Sequence, residues 1–214
     1  MGRKISAIKL QKRNKERVNI YLDGEFAFGL ARILAAWLQV GQELSDEKIM
    51  ALQARDAREA VYSQAIKLLN YRDRSEADMR RSLSQDGISE EVVNDVIERL
   101  RHAGLINDER FAQNWIENRN EFRPRSRRAL TYELKARGID QEAFGQALEQ
   151  IDDDELALQA ALKQSKKFQG LPWLEFRQKM YAFLARRGFN YETSAPVVRR
   201  VWEEMHADIE NMNK

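Results

Sequence analysis

The sequence predicts a mainly α-helical protein of three tandem three-helix repeats in an elongated, curved stack, preceded by a small N-terminal α+β element with a β-hairpin. Three observations support this prediction: a recurring phrase, recurring helix-start signals, and a composition rich in charge and poor in helix breakers. The phrase has an apolar residue eight positions before a glycine, a leucine four before it and an apolar residue directly after it. Its glycines, Gly87, Gly138 and Gly188, are 51 and 50 residues apart. A fixed period of this size indicates tandem structural units.

The N-terminal segment has the pattern of a small β-element. Residues 18–22 alternate between apolar and polar side chains, Asp23 and Gly24 follow, and residues 25–28 are again β-prone. Two such runs around Asp-Gly predict a β-hairpin. We expect residues 5–10 to supply a third strand and residues 30–38 to form a short apolar helix.

Helix-start signals begin at Ser45, which is a candidate N-cap with acidic residues in the turn that follows. An apolar residue precedes this cap and another follows five positions later, which is the spacing of a hydrophobic staple. The arrangement fixes the angle at which the chain enters a helix. It occurs four times, at Leu44/Ser45/Ile49, Ile88/Ser89/Val93, Ile106/Asn107/Phe111 and Ile139/Asp140/Phe144.

Apolar spacing and these caps divide the rest of the chain into nine predicted helices in three units. The recurring glycine lies where each second helix must end with a positive φ. In the third unit, Asn190 and Ser194 are alternative caps, because Pro196 is tolerated in a first helical turn. The helices are expected near residues 57–71, 75–86 and 89–103, then 107–121, 125–137 and 140–150, then 155–168, 172–187 and 190–205. The predicted domains are 1–56 for the N-terminal element and 57–106, 107–153 and 154–214 for the three repeats.

The composition favours exposed helices over disorder or an all-β domain. The chain has 214 residues, 33% of them charged, with 3 prolines and 10 glycines. It has no cysteine, which excludes a disulfide framework, a thiolate zinc site and a cysteine nucleophile. No apolar run approaches the ~20 residues that a bilayer span requires. We therefore expect a soluble, cytoplasmic protein.

The sequence contains no constellation that supports catalysis. His102 and His206 lie in different units without supporting ligands, and they are interpreted as helix-surface residues. The spacing of Gly24 and Gly29 opens a P-loop pattern, but no Gly-Lys-Ser/Thr follows. The acidic run 152–155 lacks the pattern of a calcium loop and suits the start of a helix. No enzyme activity, cofactor or metal site is predicted. The tryptophans, Trp37, Trp115, Trp173 and Trp202, are interpreted as core residues.

A formal net charge of +2 conceals segregated charge. Residues 1–17 contain seven Lys or Arg and one acid, and residues 122–138 contain six against Glu133 alone. Residues 140–155 are acidic without a single base, and residues 163–187 are again basic. Such blocks suggest a surface that meets a polyanion on one side. The alternative is that the charges pair across neighbouring solvated helices.

The linkers that lead into the second helices carry the best binding signals. Arg74 and Arg125 each lie thirteen residues before the glycine of their repeat, and a serine follows each. Arginines and exposed amide groups at such a place suit phosphates, or carboxylates on a protein. The alternative is that some of these arginines cap and bridge neighbouring helices. The candidate contact residues are Arg72, Arg74, Arg80, Arg81, Arg123, Arg125, Arg127, Arg128, Lys166, Lys167, Arg186 and Arg187.

Three stretches of the chain resemble a known family. LNYRDRSEADMRRSL at residues 69–83 and LINDERFAQNW at residues 105–115 resemble the RecX regulatory proteins. VNIYLDGEF at residues 18–26 resembles the longer RecX versions that have an N-terminal extension. The resemblance spans residues 8–205 and is weakest in the third unit.

The resemblance implies a regulator of the RecA recombinase. Such proteins bind along the groove of the RecA filament on single-stranded DNA, and they limit its strand exchange, its ATP hydrolysis and its coprotease role in the SOS response. The family has no catalytic site to transfer to this chain. The implied partners are the RecA filament and single-stranded DNA, with duplex DNA as a further candidate, and we expect a monomer. The competing interpretations are a free helix-turn-helix-like DNA-binding protein and a structural scaffold.

Overall fold

The computed structural model describes residues 2–212, with side chains as far as His206. These residues form two compact units. Unit 1 comprises the chain up to Asp73 together with Met79–Leu105, and unit 2 comprises Arg74–Asp78 together with the chain from Ile106 onwards.

Unit 1 begins with an antiparallel sheet of four strands, β1 (Arg3–Leu10), β2 (Arg17–Leu22), β3 (Glu25–Ala31) and β4 (Glu43–Leu44). Their order in the sheet is β3-β2-β1-β4. The predicted hairpin is confirmed, and its turn residues Asp23 and Gly24 have φ values of 49° and 92°. Two positive φ values are typical of the type I′ turn that Asp-Gly favours. The predicted third strand is also confirmed and pairs with β2.

The apolar helix predicted over residues 30–38 is mostly wrong. Pairing between β2 and β3 continues as far as Ala31, so Leu30 is a fully buried strand residue. The helix that follows, α1, covers only Arg32–Ala35. Trp37 lies beyond it and is 88% exposed, so its interpretation as a core residue is also wrong. Sheet pairing therefore overrides the local apolar pattern here.

The remaining helices are close to their predicted bounds, apart from the start of the first and the end of the last, which was predicted at residue 205 and lies at Met212. The helix α2 runs unbroken from Asp46 to Tyr71, and Ser45 caps it by accepting a hydrogen bond from the Lys48 amide at 3.3 Å. The boundary predicted between residues 56 and 57 lies inside this helix. The other helices are α3 (Glu76–Gln85), α4 (Glu90–His102), α5 (Asp108–Phe122), α6 (Arg127–Ala136), α7 (Gln141–Glu149), α8 (Asp153–Ser165), the 3₁₀ turn Lys166–Phe168, α9 (Trp173–Arg186) and α10 (Tyr191–Met212).

Side-chain caps begin several of these helices. Asn107 accepts from the Arg110 amide at 2.7 Å, as its place before α5 predicts. Asp152 caps α8, so the acidic run starts a helix as expected. Asn190 accepts from the Thr193 amide at 2.8 Å, and α10 therefore starts before Ser194. This geometry decides between the two caps that the sequence left open.

Repeat 2 (α5–α7) and repeat 3 (α8–α10) share one apolar core within unit 2. That core is continuous from Phe111 on α5 to Val201 on α10. Leu134 and Leu184, the leucines of the recurring phrase, are fully buried in it. The two repeats are thus separate in sequence but joined in packing.

Asp56 ties the sheet of unit 1 to α2. Its carboxylate accepts from the Ala31 amide at 2.7 Å and from both terminal nitrogens of Arg17 at 3.2 and 2.6 Å. We expect Asp56→Ala to lower the free energy of unfolding by about 2 kcal/mol, because it leaves three donor nitrogens without their acceptor. Urea unfolding followed by circular dichroism tests this, with Asp95→Ala on the exposed face of α4 as the control. Equal losses of stability in the two variants would contradict the role of Asp56 in holding the sheet to α2.

Candidate functional site

The twelve predicted contact residues divide between the two units. Arg72, Arg80 and Arg81 belong to unit 1, and the other nine belong to unit 2. Arg80 is half-buried and donates to the Asn94 side chain, whereas Arg72 and Arg81 are exposed. In unit 2, Arg74 is half-buried, as are Arg125 and Arg187. The candidates of unit 2 that are exposed are Arg123, Arg127, Arg128, Lys166, Lys167 and Arg186.

The first turn of α3 contacts repeat 2 through a set of hydrogen bonds that we call joint 1. The buried Ser75 hydroxyl donates to the Arg137 carbonyl at 2.8 Å and accepts from the Asp78 amide at 3.1 Å. Asp108, the first residue of α5, accepts from the Glu76 amide at 2.9 Å. Amides at the start of α3 are therefore satisfied by a serine and by an aspartate of the next repeat.

The first turn of α6 contacts repeat 3 in a closely corresponding way, which we call joint 2. The buried Ser126 donates its amide to the Arg187 carbonyl at 3.1 Å, and its hydroxyl accepts from the Ala129 amide at 3.2 Å. Asp153, the first residue of α8, accepts from the Arg127 amide at 2.7 Å. The two joints therefore use residues at equivalent positions of successive repeats.

The recurring glycine has a second role at each joint. A Cβ added at Gly138 would lie 2.4 Å from the Ala77 Cβ, and one added at Gly188 would lie 2.4 Å from the Ser126 Oγ and 2.6 Å from the Ala129 Cβ. Both glycines also have positive φ, at 73° and 94°. They end a helix and allow a neighbouring helix to approach closely.

The joints differ in whether the arginine that precedes the recurring glycine forms an ion pair. Arg137, which precedes Gly138, forms an ion pair of 2.8 Å with Asp78 in joint 1, and its guanidinium lies 4.0 Å from the Trp115 ring centroid. Arg187 occupies the equivalent place before its glycine in joint 2. Position 129 corresponds to position 78 and is alanine, so no carboxylate is available there.

Glu133 on α6 holds three donors from repeat 2. Its carboxylate accepts from the Trp115 indole at 2.8 Å, from Arg119 Nε at 3.0 Å and from Arg125 Nη1 at 2.8 Å. The Arg119 guanidinium also lies over the Trp115 ring, 4.2 Å from its centroid. Arg125 therefore has a structural partner, which is the alternative that the sequence left open for these arginines.

Several arginines crowd around Glu133 and joint 2. Burial lowers the pKa of Arg187, and the charges of Arg125, Arg123, Arg119 and Arg186 lower it further. Arg187 Nη1 and Arg125 Nε are buried without a hydrogen-bond partner. We call these five residues the arginine cluster. Sequence reasoning identified four of them and missed Arg119, whose signal was its position in the last turn of α5, four residues before Arg123.

Arg127 is the other predicted contact residue with a structural role. Its side chain donates to the Ile151 carbonyl at 2.6 Å, while its amide is bound to Asp153. It therefore bridges repeat 2 to the start of repeat 3. Arg123, Arg128 and Arg186 have no such bond among the described residues and present their charge to solvent.

Acidic residues of the stretch 140–155 line a groove of unit 2 that does not include the arginine cluster. A groove of about 810 Å³ lies between α5, α7 and α8, and its charged lining is entirely acidic, with glutamates from all three helices. This groove repels phosphates. Across the described part of the chain, no cluster of three or more acidic, histidine or cysteine side chains is placed to hold a metal ion. No helix in that part is long and apolar enough to cross a membrane.

Comparison with known proteins matches all four parts of the chain to one family. Residues 3–45 match the regulatory protein RecX N-terminal domain, and residues 62–100, 107–148 and 152–198 match the first, second and third RecX three-helix domains. The regulatory protein RecX of Bacillus pumilus is 33% identical, covering 88% of this chain and 73% of its own. The one from Bacillus subtilis is 30% identical, covering 96% and 80%.

Solved structures give the same result for the fold. A crystal structure of regulatory protein RecX superposes with a TM-score of 0.74 at 30% identity, covering 91% of this chain and 98% of the other. RecX from Lactobacillus salivarius superposes with a TM-score of 0.58 at 21% identity, covering 69% and 97%, which supports the fold alone.

Proposed function

Because this chain belongs to the RecX family of regulatory proteins, we propose that it binds the RecA filament on single-stranded DNA and lowers the ATPase, strand-exchange and coprotease activities of that filament. In this proposal it acts in the cytoplasm as a monomer without a catalytic site of its own. It would thereby limit recombination and the SOS response.

The observation that carries the proposal is the set of exposed cations in unit 2. Arg123 directly follows α5, Arg128 lies in the first turn of α6 and Arg186 ends α9, and all three face solvent. Lys166 and Lys167 add two exposed cations on the 3₁₀ turn. Cations on successive repeats suit the repeating phosphates of a nucleoprotein filament, with contacts that do not depend on sequence.

The joints make a free helix-turn-helix reader the weaker candidate. Such readers insert the N-terminal residues of a recognition helix into the major groove. In this chain the first turns of α3 and α6 contact the next repeat through Ser75 and Ser126. A gel shift with bare duplex DNA would favour the reader if binding were tight and sequence-dependent.

The test is a titration of the protein into a preformed RecA filament on single-stranded DNA at low salt. We expect the ATPase rate to fall as the protein is added. An unchanged rate would exclude the proposed activity.

Charge reversal then tests the surface. Arg125 and Arg127 are left unchanged, because charge reversal there would break the Arg125–Glu133 ion pair and the hydrogen bond from Arg127 to the Ile151 carbonyl. The informative variant is therefore the triple change Arg123→Glu, Arg128→Glu and Arg186→Glu. We expect it to require on the order of tenfold more protein for half-maximal inhibition, because each lost phosphate contact weakens binding. The matched control reverses Lys48, Arg55 and Lys67 on the exposed face of α2. Equal inhibition by both triple variants would remove this surface from the interface.

A further inference from the structure

Arg187 is a half-buried cation of joint 2 that forms no ion pair among the described residues, and its guanidinium lies 5.1 Å from the Phe183 ring centroid. Its equivalent in joint 1, Arg137, is neutralised by Asp78 at 2.8 Å. In joint 2 that carboxylate is replaced by Ala129, and Arg187 Nη1 is buried with no acceptor. A desolvated donor without an acceptor is costly, and a guanidinium stays protonated in proteins.

The charge balance of the arginine cluster is strongly positive. Glu133 is the one acidic side chain, among the described residues, that forms an ion pair with any of its five members, and it pairs with Arg119 and Arg125. Arg123, Arg186 and Arg187 form no ion pair among those residues. Like charges held together at this density favour the entry of an anion.

We propose that the arginine cluster, which includes Arg187 and its unpaired Nη1 donor, binds a phosphate group of a single-stranded nucleic-acid backbone. This inference rests on the proposed function, in which the filament presents such a strand. Guanidinium groups donate in a planar fork that matches the oxygens of a phosphate. Rotation of the long Arg187 and Arg125 side chains can turn their unpaired donors towards an oxyanion at the surface.

An exposed aromatic side chain favours a nucleic acid over a free phosphate ion. Tyr132 on α6 is 76% exposed and precedes Glu133 directly. It lies four residues after the exposed Arg128, and the two therefore share one face of the helix. Aromatic side chains beside cations are the usual platform on which the bases of a single strand stack.

The test measures binding of a fluorescein-labelled thymidine 20-mer by anisotropy over a series of salt concentrations. We expect Arg187→Gln to weaken binding about fivefold to tenfold and to reduce the salt slope by about 0.7, the value for one phosphate contact on a single strand. Arg55→Gln, an exposed arginine on α2, is the control and should bind like the unmodified protein. Arg187→Gln should also melt no lower than the unmodified protein, because it removes a half-buried charge that has no carboxylate partner among the described residues.

A second variant tests the same site by adding a charge. Ala129→Asp places at joint 2 the carboxylate that neutralises Arg137 at joint 1, and we expect it to weaken binding of the 20-mer to a similar extent. If Arg187→Gln fails to fold, the affinity of Ala129→Asp for the 20-mer decides whether the arginine cluster binds the strand.

Three results would overturn the inference. The first is equal binding by Arg187→Gln and Arg55→Gln. The second is absence of binding of the 20-mer to the unmodified protein at low salt, which leaves the filament ATPase test of the proposed function unaffected. The third is a melting temperature that rises with inorganic phosphate in a protein that does not bind the 20-mer, because the site then takes the free ion instead.

Discussion

Replacing Glu133 by alanine should lower the free energy of unfolding of unit 2 by about 3 kcal/mol. Its carboxylate accepts three bonds, from Trp115, Arg119 and Arg125, and its side chain is only 17% exposed. The change leaves these half-buried donors unsatisfied and removes the negative charge that pairs with Arg119 and Arg125. Removing one partner of a buried pair is costly because the other charge stays buried without compensation.

Urea unfolding followed by tryptophan fluorescence measures this effect. A Trp37→Phe background leaves only the tryptophans of unit 2, and Trp37 is exposed, so that replacement should cost little. The control is Glu175→Ala, which removes an exposed carboxylate 3.7 Å from Lys179 and should cost less than about 0.5 kcal/mol. A loss of stability at Glu133 no larger than at Glu175 would show that the three contacts contribute little.

Gly188→Ala should destabilise unit 2 by about 3 kcal/mol, by adding two costs. Its φ of 94° disfavours any residue with a Cβ, at about 1–2 kcal/mol. The new Cβ would also lie 2.4 Å from the Ser126 Oγ and 2.6 Å from the Ala129 Cβ. Relieving these clashes requires α6 and the end of α9 to move apart, at a cost of about 1–3 kcal/mol of stability.

Two other glycines separate these costs. Gly170 lies in the same unit with a φ of 77°, and a Cβ there would meet nothing within 4 Å. Gly87 is the equivalent of Gly188 in repeat 1, with a φ of 75° and the same open space. We expect about 1 kcal/mol for alanine at either position. If alanine cost the same at Gly170 and Gly188 in urea unfolding, the close approach at joint 2 would carry no energy.

The sequence predicted the repeats and their helix bounds well because these depend on interactions within a few residues. Ser45 and Asn107 cap their helices as their positions indicate, and Asp23-Gly24 forms the predicted turn. The failures occurred where strand pairing competes with the apolar pattern of the segment itself. Leu30 joined the sheet and Trp37 remained exposed, because pairing with β2 decided where the strand ended.

The candidate site was predictable as a set of basic residues but not as an arrangement. The sequence pointed to Arg125 and Arg187 with equal weight, and it assigned Glu133 no role. The structure pairs Arg125 with Glu133 and leaves Arg187 without a carboxylate. Comparison of equivalent positions would have shown the aspartate at 78 and the alanine at 129, but only the ion pair to Arg137 shows why that difference matters.

By itself, then, the sequence determined the family, the hairpin and three helical repeats, because caps, turns and apolar periodicity act over short distances along the chain. The tertiary structure alone decided which charges are compensated. Asp78 meets Arg137 across 59 residues, and Gly188 meets Ser126 across a similar separation. Such contacts depend on how successive repeats pack, and that packing leaves Arg187 without a carboxylate partner among the described residues.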